Sequence, residues 1–255
     1  MEDLLCVKGR TVGRGKPLVC VPVMEPDKES ILKEFDRLIE SRADMVEWRV
    51  DAFDGAKSPN AVRGVLEALA PMVKDTILVY TFRSKAQGGL LSLDADRVDD
   101  IRQVAAESKV ADFIDLEVFE SRRPQREIRR LQSMGAYVIA SHHDFHQTPE
   151  RSVIRMLMQQ LYESGADVVK LALMPQEMQD VMNLMEETRI FHEKNPNQAL
   201  VTMSMGPLGT ITRVAGEYIG SCVSFGTGRK ASAPGQLPME DLKQVLSILH
   251  RSMQQ

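Results

Sequence analysis

Lys170 stands in the middle of the apolar run DVVKLALMP (167–175). A lysine set among valines and leucines needs a partner or a task, because an unpaired ammonium is costly to remove from water. Burial and neighbouring cations both favour the neutral amine, and the arginines elsewhere in the chain are the expected source of that repulsion. A lysine tuned in this way is a nucleophile suited to forming a Schiff base with a ketone. A partner for proton transfer is His143 in SHHDFHQTP (141–149), whose ring ordinarily titrates near neutrality. Charged side chains also alternate in EWRVD (47–51), which puts Glu47, Arg49 and Asp51 on one face of an extended segment. TFRS (81–84) adds Thr81 and Arg83 in the same manner.

These residues need a scaffold that brings distant segments to one place. Eight short runs rich in β-branched residues read as strands: 18–23, 45–51, 76–83, 113–118, 137–143, 167–174, 199–205 and 221–227. Between them lie amphipathic stretches such as 28–42, 151–165 and 176–194, with apolar residues three and four apart, and 239–252 closes the series. Alternation of this kind specifies α/β units with a parallel sheet, and eight units in about 250 residues is the count of a (β/α)8 TIM barrel. The expectation is one barrel domain over residues 1–255, with VKGRTVGRGK (7–16) as a β-hairpin closing its bottom. Charges are poor neighbours for the helix layer, so the faces carrying Glu47 with Arg49, Ser141 with His143, Lys170 with Ala172, and Met203 with Met205 are assigned inward. Several lie at the C-terminal ends of their strands, where barrel enzymes build active sites.

Composition narrows the function class. The 255 residues are 43% apolar and 27% charged with a net charge of -4, the balance of an ordinary globular protein. Basic residues are scattered, so neither nucleic acid nor a membrane surface is an expected partner, and a small-molecule substrate is. No run reaches the roughly 18 apolar residues of a membrane span. Cys6, Cys20 and Cys222 are far apart and lack metal-ligand spacing, and the N-terminus has no long apolar leader, so a cytoplasmic protein with reduced thiols is expected.

Six blocks carry a resemblance: EWRVD (47–51), TFRS (81–84), SHHDFHQTP (141–149), VVKLALMPQ (168–176), TMSMGPLGTITRVAGEYIGS (202–221) and ASAPGQL (231–237). Together they resemble type I 3-dehydroquinate dehydratase, the Schiff-base dehydratase of the shikimate pathway, in family order from the hairpin to the last helix. The resemblance implies that Lys170 forms an imine with 3-dehydroquinate and that His143 is the general acid and base. It implies that Glu47, Arg49 and Arg83 hold substrate hydroxyls, that Arg213 binds the substrate carboxylate, and that Ser232 and Gln236 belong to a loop closing over the substrate. Met203, Met205 and Phe225 match apolar wall positions, for which plain core packing is an equally good reading of the sequence alone. A homodimer, no cofactor and no metal complete what the resemblance implies.

One position departs from the pattern. Before the Gly-Gly pair the family usually carries a glutamate that orients and charge-tunes the histidine, whereas TFRSKAQGG has Gln87 there. Glutamine accepts a hydrogen bond from imidazole but supplies no charge to the imidazolium, so a lower His143 pKa and a slower reaction are expected. Two alternatives remain. GPLG (206–209) and FGTG (225–228) follow strands seven and eight, where barrels bind phosphate, which would suit a Schiff-base aldolase acting on a phosphosugar. Gln87 could instead mark a barrel that binds the ligand without turning it over. His142, His143 and His146 are close in sequence, yet an imine already provides the electron sink, so His142 and His146 are read as structural and no metal is expected.

Overall fold

The computed structural model describes residues 5–229 and 231–254. An antiparallel hairpin, β1 (Leu5–Val7) and β2 (Arg10–Val12), leads into eight parallel strands. These are β3 (Leu18–Val23), β4 (Met45–Arg49), β5 (Ile77–Thr81), β6 (Phe113–Glu117), β7 (Tyr137–Asp144), β8 (Val168–Leu173), β9 (Ala199–Ser204) and β10 (Val223–Phe225). They pair in the order β10-β3-β4-β5-β6-β7-β8-β9, and the Cys222 amide donates to the Leu200 carbonyl (2.8 Å) across the remaining seam. Helices α1 (Lys28–Glu40), α2 (Pro59–Leu69), α3 (Ala95–Ser108), α4 (Pro124–Ser133), α5 (Arg151–Glu163) and α6 (Met178–Lys194) follow β3 to β8 in turn. Two short helices, α7 (Thr210–Val214) and α8 (Gly216–Ile219), follow β9, and α9 (Met239–Met253) follows β10. This is the expected (β/α)8 barrel.

Period-two alternation sorts every strand into two faces. Val46 and Trp48, Leu78 and Tyr80, Ile114 and Leu116, and Val169 and Leu171 pack outward under the helices. Met45, Val79, Phe113, Ile139, Val168 and Val201 fill the interior of the barrel floor. The Trp48 ring meets Tyr80 edge-on, with centroids 5.7 Å apart, so the outer layer is also set by aromatic geometry. Helix starts are written locally: Asp27 and Asp94 cap α1 and α3 by accepting from Ser30 N and Arg97 N (both 2.9 Å), and Ser58 caps α2 ahead of Pro59.

Strand spacing is also tied from below. An Ala-Asp pair precedes β4, β6 and β8, at 43–44, 111–112 and 166–167. In each case the carboxylate accepts from the first amides of the preceding strand: Asp44 from Val19 N (3.0 Å), Asp112 from Leu78 N (2.7 Å) and Asp167 from Val138 N (2.7 Å). The hairpin closes the same end, as expected, with Val7 and Val12 packed into the interior cluster. Lys8 at its turn donates to the carbonyls of Val73 (2.6 Å) and Thr76 (2.9 Å) and pairs with Asp112 (2.6 Å).

Four strands are shorter than expected by two residues or more. β4 stops at Arg49 because Val50–Ala52 wind into a 3-10 turn, β5 covers Ile77–Thr81 of the expected 76–83, β8 covers Val168–Leu173 of the expected 167–174, and β10 covers only Val223–Phe225 of the expected 221–227. In the last, Ser221 leaves the ladder to hold the Thr202 amide with its hydroxyl (3.0 Å). Replacing Lys8 by methionine should remove three bonds from the plug and lower unfolding stability by about 1 to 2 kcal/mol with an unchanged urea m-value. An unchanged urea midpoint would show that the plug does not support the barrel.

Candidate active site

The inward charges meet at the C-terminal ends of the strands. They line a cavity with Glu47, Arg49, Arg83, Gln87, His143, Lys170, Met203, Met205, Phe225, Ser232 and Gln236 on its walls. Every predicted site residue except Arg213 is on that surface. Lys170 is only 4% exposed, and its amine lies 3.5 Å from Asp115 Oδ2, 3.7 Å from Glu47 Oε1 and 4.3 Å from the Phe225 ring centroid. Arg83 binds the same Asp115 oxygen (2.9 Å), so the expected arginine stands close by, but the groups against the amine itself are two carboxylates and an aromatic face, all of which attract a cation.

Register explains how these groups come together. Ser141 on β7 pairs with Lys170 on β8 and with Glu117 on β6, so their side chains enter the barrel as neighbours. Asp115, two residues before Glu117, takes the next inward position and is fully buried. It accepts from Ser141 Oγ (2.6 Å), and Arg83 Nη2 lies 2.9 Å from it. Arg83 Nη1 reaches Glu117 (2.8 Å) and Ser141 Oγ (3.0 Å). Burial pushes the Asp115 carboxyl up, but Arg83, Lys170 and the Ser141 hydroxyl outweigh it and hold the group below its ordinary value. Sequence reading passed over Asp115 and Glu117, although FIDLEV carries the same alternating acids as EWRVD.

Glu47 accepts from Thr81 Oγ1 (2.8 Å), which aims it at the amine. Arg49 makes a bidentate pair with Asp51 (2.7 and 2.8 Å). Asp51 also accepts from the amides of Leu90 (3.0 Å) and Arg83 (3.3 Å), so the 3-10 turn after β4 anchors the segment following β5. That segment delivers Gln87. Lys85–Gln87 form a 3-10 turn ended by Gly88 in the left-handed region (φ 84°), and a Cβ on Gly89 would lie 1.9 Å from the Arg83 carbonyl oxygen. The turn buries Gln87 to 2% exposure with Oε1 accepting from the His143 backbone amide (2.9 Å) and lying 3.2 Å from its Nδ1.

His143 is held well below its ordinary value, first by desolvation and then by the positive groups Arg83, Lys170, His142 and Arg49. It is therefore a neutral imidazole at pH 7, able to accept a proton. His142 points to the other face of β7, edge-on to Phe119 (4.9 Å), while the exposed His146 donates its amide to Asp144 (2.8 Å). The HHDFH histidines do not converge.

Arg213 lies behind the cavity wall. It donates to the carbonyls of Phe225 (3.4 Å) and Pro234 (3.0 Å), makes no ion pair among the described residues, and is pushed down to about 10 by burial. Gln236 folds back on its own loop, accepting from Ser232 N (2.9 Å) and donating to Ser232 Oγ (2.9 Å). Three of the four glycines considered for phosphate have committed amides: Gly206 donates to Pro234 O, Gly209 to Gly206 O and Gly226 to Cys20 O. A phosphate cradle needs such amides free and pointing at the ligand.

Residues 19–253 match the profile of the family described as Type I 3-dehydroquinase. The chain belongs to that family. It is 36% identical over 250 residues to the 3-dehydroquinate dehydratase of Bacillus velezensis, covering 98% of this chain and 99% of that one. The Klebsiella pneumoniae 3-dehydroquinate dehydratase is 37% identical over 253 residues, covering 98% and 100%. In three dimensions the barrel matches Clostridium difficile type I 3-dehydroquinate dehydratase, solved with covalently modified comenic acid, at a TM-score of 0.94 and 34% identity over 99% of this chain and 100% of that one.

In this family member the neutral state of His143 follows first from desolvation and then from cations that Gln87 does not offset. Titration of His143 by NMR should give a pKa below 6.5, and Gln87→Glu should raise it; an unmoved value in that variant would refute the charge argument. Because unfolded histidine binds its proton before the folded ring does, His143 should also erode stability as pH falls from about 6.5 toward its folded value. Below that value the loss should level off.

Proposed function

We propose that this chain is a hydro-lyase of the shikimate pathway that dehydrates 3-dehydroquinate to 3-dehydroshikimate through an imine on Lys170. The observation that carries the reading is a buried amine opening onto a cavity that also holds a neutral histidine. The relatives and the solved structure compared above bear the name 3-dehydroquinate dehydratase.

The Lys170 nitrogen adds to the C3 ketone of the substrate while two of its ammonium protons pass to the ketone oxygen, which leaves as water and gives the iminium. Glu47 and Asp115, which pair the resting ammonium, stabilise the iminium in the same position, so the carboxylates serve the cation that develops during reaction. The iminium acidifies the C2 proton, and neutral His143 removes it as general base. The resulting enamine expels the C1 hydroxyl, which leaves as water with the proton that His143 had taken. Hydrolysis of the conjugated iminium releases product and returns the lysine. Arg49 and Arg83, each fixed by carboxylates, present the remaining donors of the wall to substrate hydroxyls.

Arg213 is a buried guanidinium without a countercharge, a costly state that an anionic ligand relieves. It is assigned to the substrate carboxylate, with Ser232 and Gln236 on the loop over it. Met203, Met205 and Phe225 exclude water from the imine. The family resemblance further implies a homodimer in the cytoplasm, which sedimentation of the purified chain would test.

Mass spectrometry after incubation with 3-dehydroquinate and borohydride should find a reduced adduct on Lys170. Lys170→Ala should lose the adduct and about a thousandfold or more of kcat. Turnover without trapping at Lys170 would refute the imine mechanism. Calorimetric binding with neither adduct nor product would identify a binding protein instead.

A further inference from the structure

Gln87 has two ends, and only one of them faces the histidine. Its oxygen accepts from the His143 backbone amide, which is always a donor, so the carbonyl end of the amide must lie on that side. The contact of 3.2 Å between the same oxygen and Nδ1 is then a hydrogen bond only when Nδ1 carries the proton. In neutral His143 this leaves the lone pair on Nε2. The other end of the amide, Nε2 of Gln87, points away from His143 to Glu120 Oε1 at 3.5 Å.

Glu120 lies just past β6, in a turn where its amide donates to the Glu117 carbonyl (3.2 Å). It is exposed and makes no ion pair among the described residues, so its carboxylate is free to act as a charged acceptor. At 3.5 Å this contact is long for a hydrogen bond, and what the carboxylate supplies is chiefly electrostatic attraction for the NH2 end of the amide. Flipping Gln87 would set its oxygen against this carboxylate and its NH2 against the His143 amide. Both ends of the side chain therefore oppose the flip.

We propose that Glu120 is a positioning residue: through Gln87 it holds the proton of neutral His143 on Nδ1 and so keeps the basic Nε2 free to act. The inference rests on the proposed role of His143 as general base. In this chain the carboxylate is one hydrogen bond further from the imidazole than in the family pattern with glutamate at the Gln87 position. Here it acts on the orientation and tautomer of the ring rather than by direct contact with it.

The test is 15N NMR of the histidine ring nitrogens in the ligand-free protein, with His143 assigned by a His143→Asn control. The native chain should show protonated Nδ1 and unprotonated Nε2. Glu120→Ala should move the signals toward a tautomer mixture and lower kcat about fivefold with little change in KM, the size expected for one weakened hydrogen bond. Glu120→Gln, which retains an acceptor, should restore the native signals and most of kcat. A native ring protonated on Nε2, or identical ring signals in the native chain and Glu120→Ala, would overturn the inference. The spectra need no turnover, so failure of the dehydratase assay alone would count against the proposed reaction and leave the tautomer result standing.

Discussion

One buried carboxylate organises the mouth of this barrel. Asp115 is fully enclosed, and it joins Arg83, Lys170 and Ser141 through three separate contacts. Removing a charge from water costs several kcal/mol, so the group is tolerable only while those partners stay in place. The partners arrive from three other segments, β7, β8 and the chain just after β5, and the register of the sheet is what brings them within reach. Barrel closure and charge pairing are therefore conditions for one another. A slip of one residue in β6 would turn Asp115 and Glu117 outward and leave Arg83 unpaired.

The same logic sets the division of labour between the two reactive groups. Lys170 is surrounded by anions, while His143 is surrounded by cations that include Lys170 itself. The lysine site thus presents two carboxylates to a cationic iminium, and the histidine site favours a neutral ring. A proposed mechanism that needs a cationic sink beside a neutral base finds both within one cavity. Arg83 serves each side: its pairing with Asp115 and Glu117 fixes it, and its charge lowers the histidine.

Most of this architecture was legible because strand alternation is a local signal. The inward faces of EWRVD, SHH and VVKLAL follow from counting by twos, and the barrel follows from eight such runs between helices. Asp115 and Glu117 carry the same alternating signal in FIDLEV, where counting by twos puts both on the inward face. The environment of Lys170 was not legible in this way. Sequence shows that a lysine is buried but not which charges the closed sheet brings to it, and β4 and β6 are distant in sequence. Nor did any periodicity indicate the Ala-Asp ties beneath the strands or the turn that delivers Gln87, because both depend on side-chain to backbone bonds between separate segments.

Arg213 shows how the loop after β10 is coupled to the charge the site lacks. Its Nη2 donates to the Pro234 carbonyl, and the Gly206 amide donates to the same oxygen. Gly235 next to it adopts φ 75°, and a Cβ there would lie 2.1 Å from the Gly206 carbonyl oxygen, so the backbones of the two loops are in close contact. The loop bearing Ser232 and Gln236 is consequently held by the guanidinium that has no countercharge. An anion drawn to Arg213 would compete for donors that now anchor the loop and would meet Ser232 and Gln236 as it entered. Substrate charge and loop position are then two readings of one hydrogen-bond network.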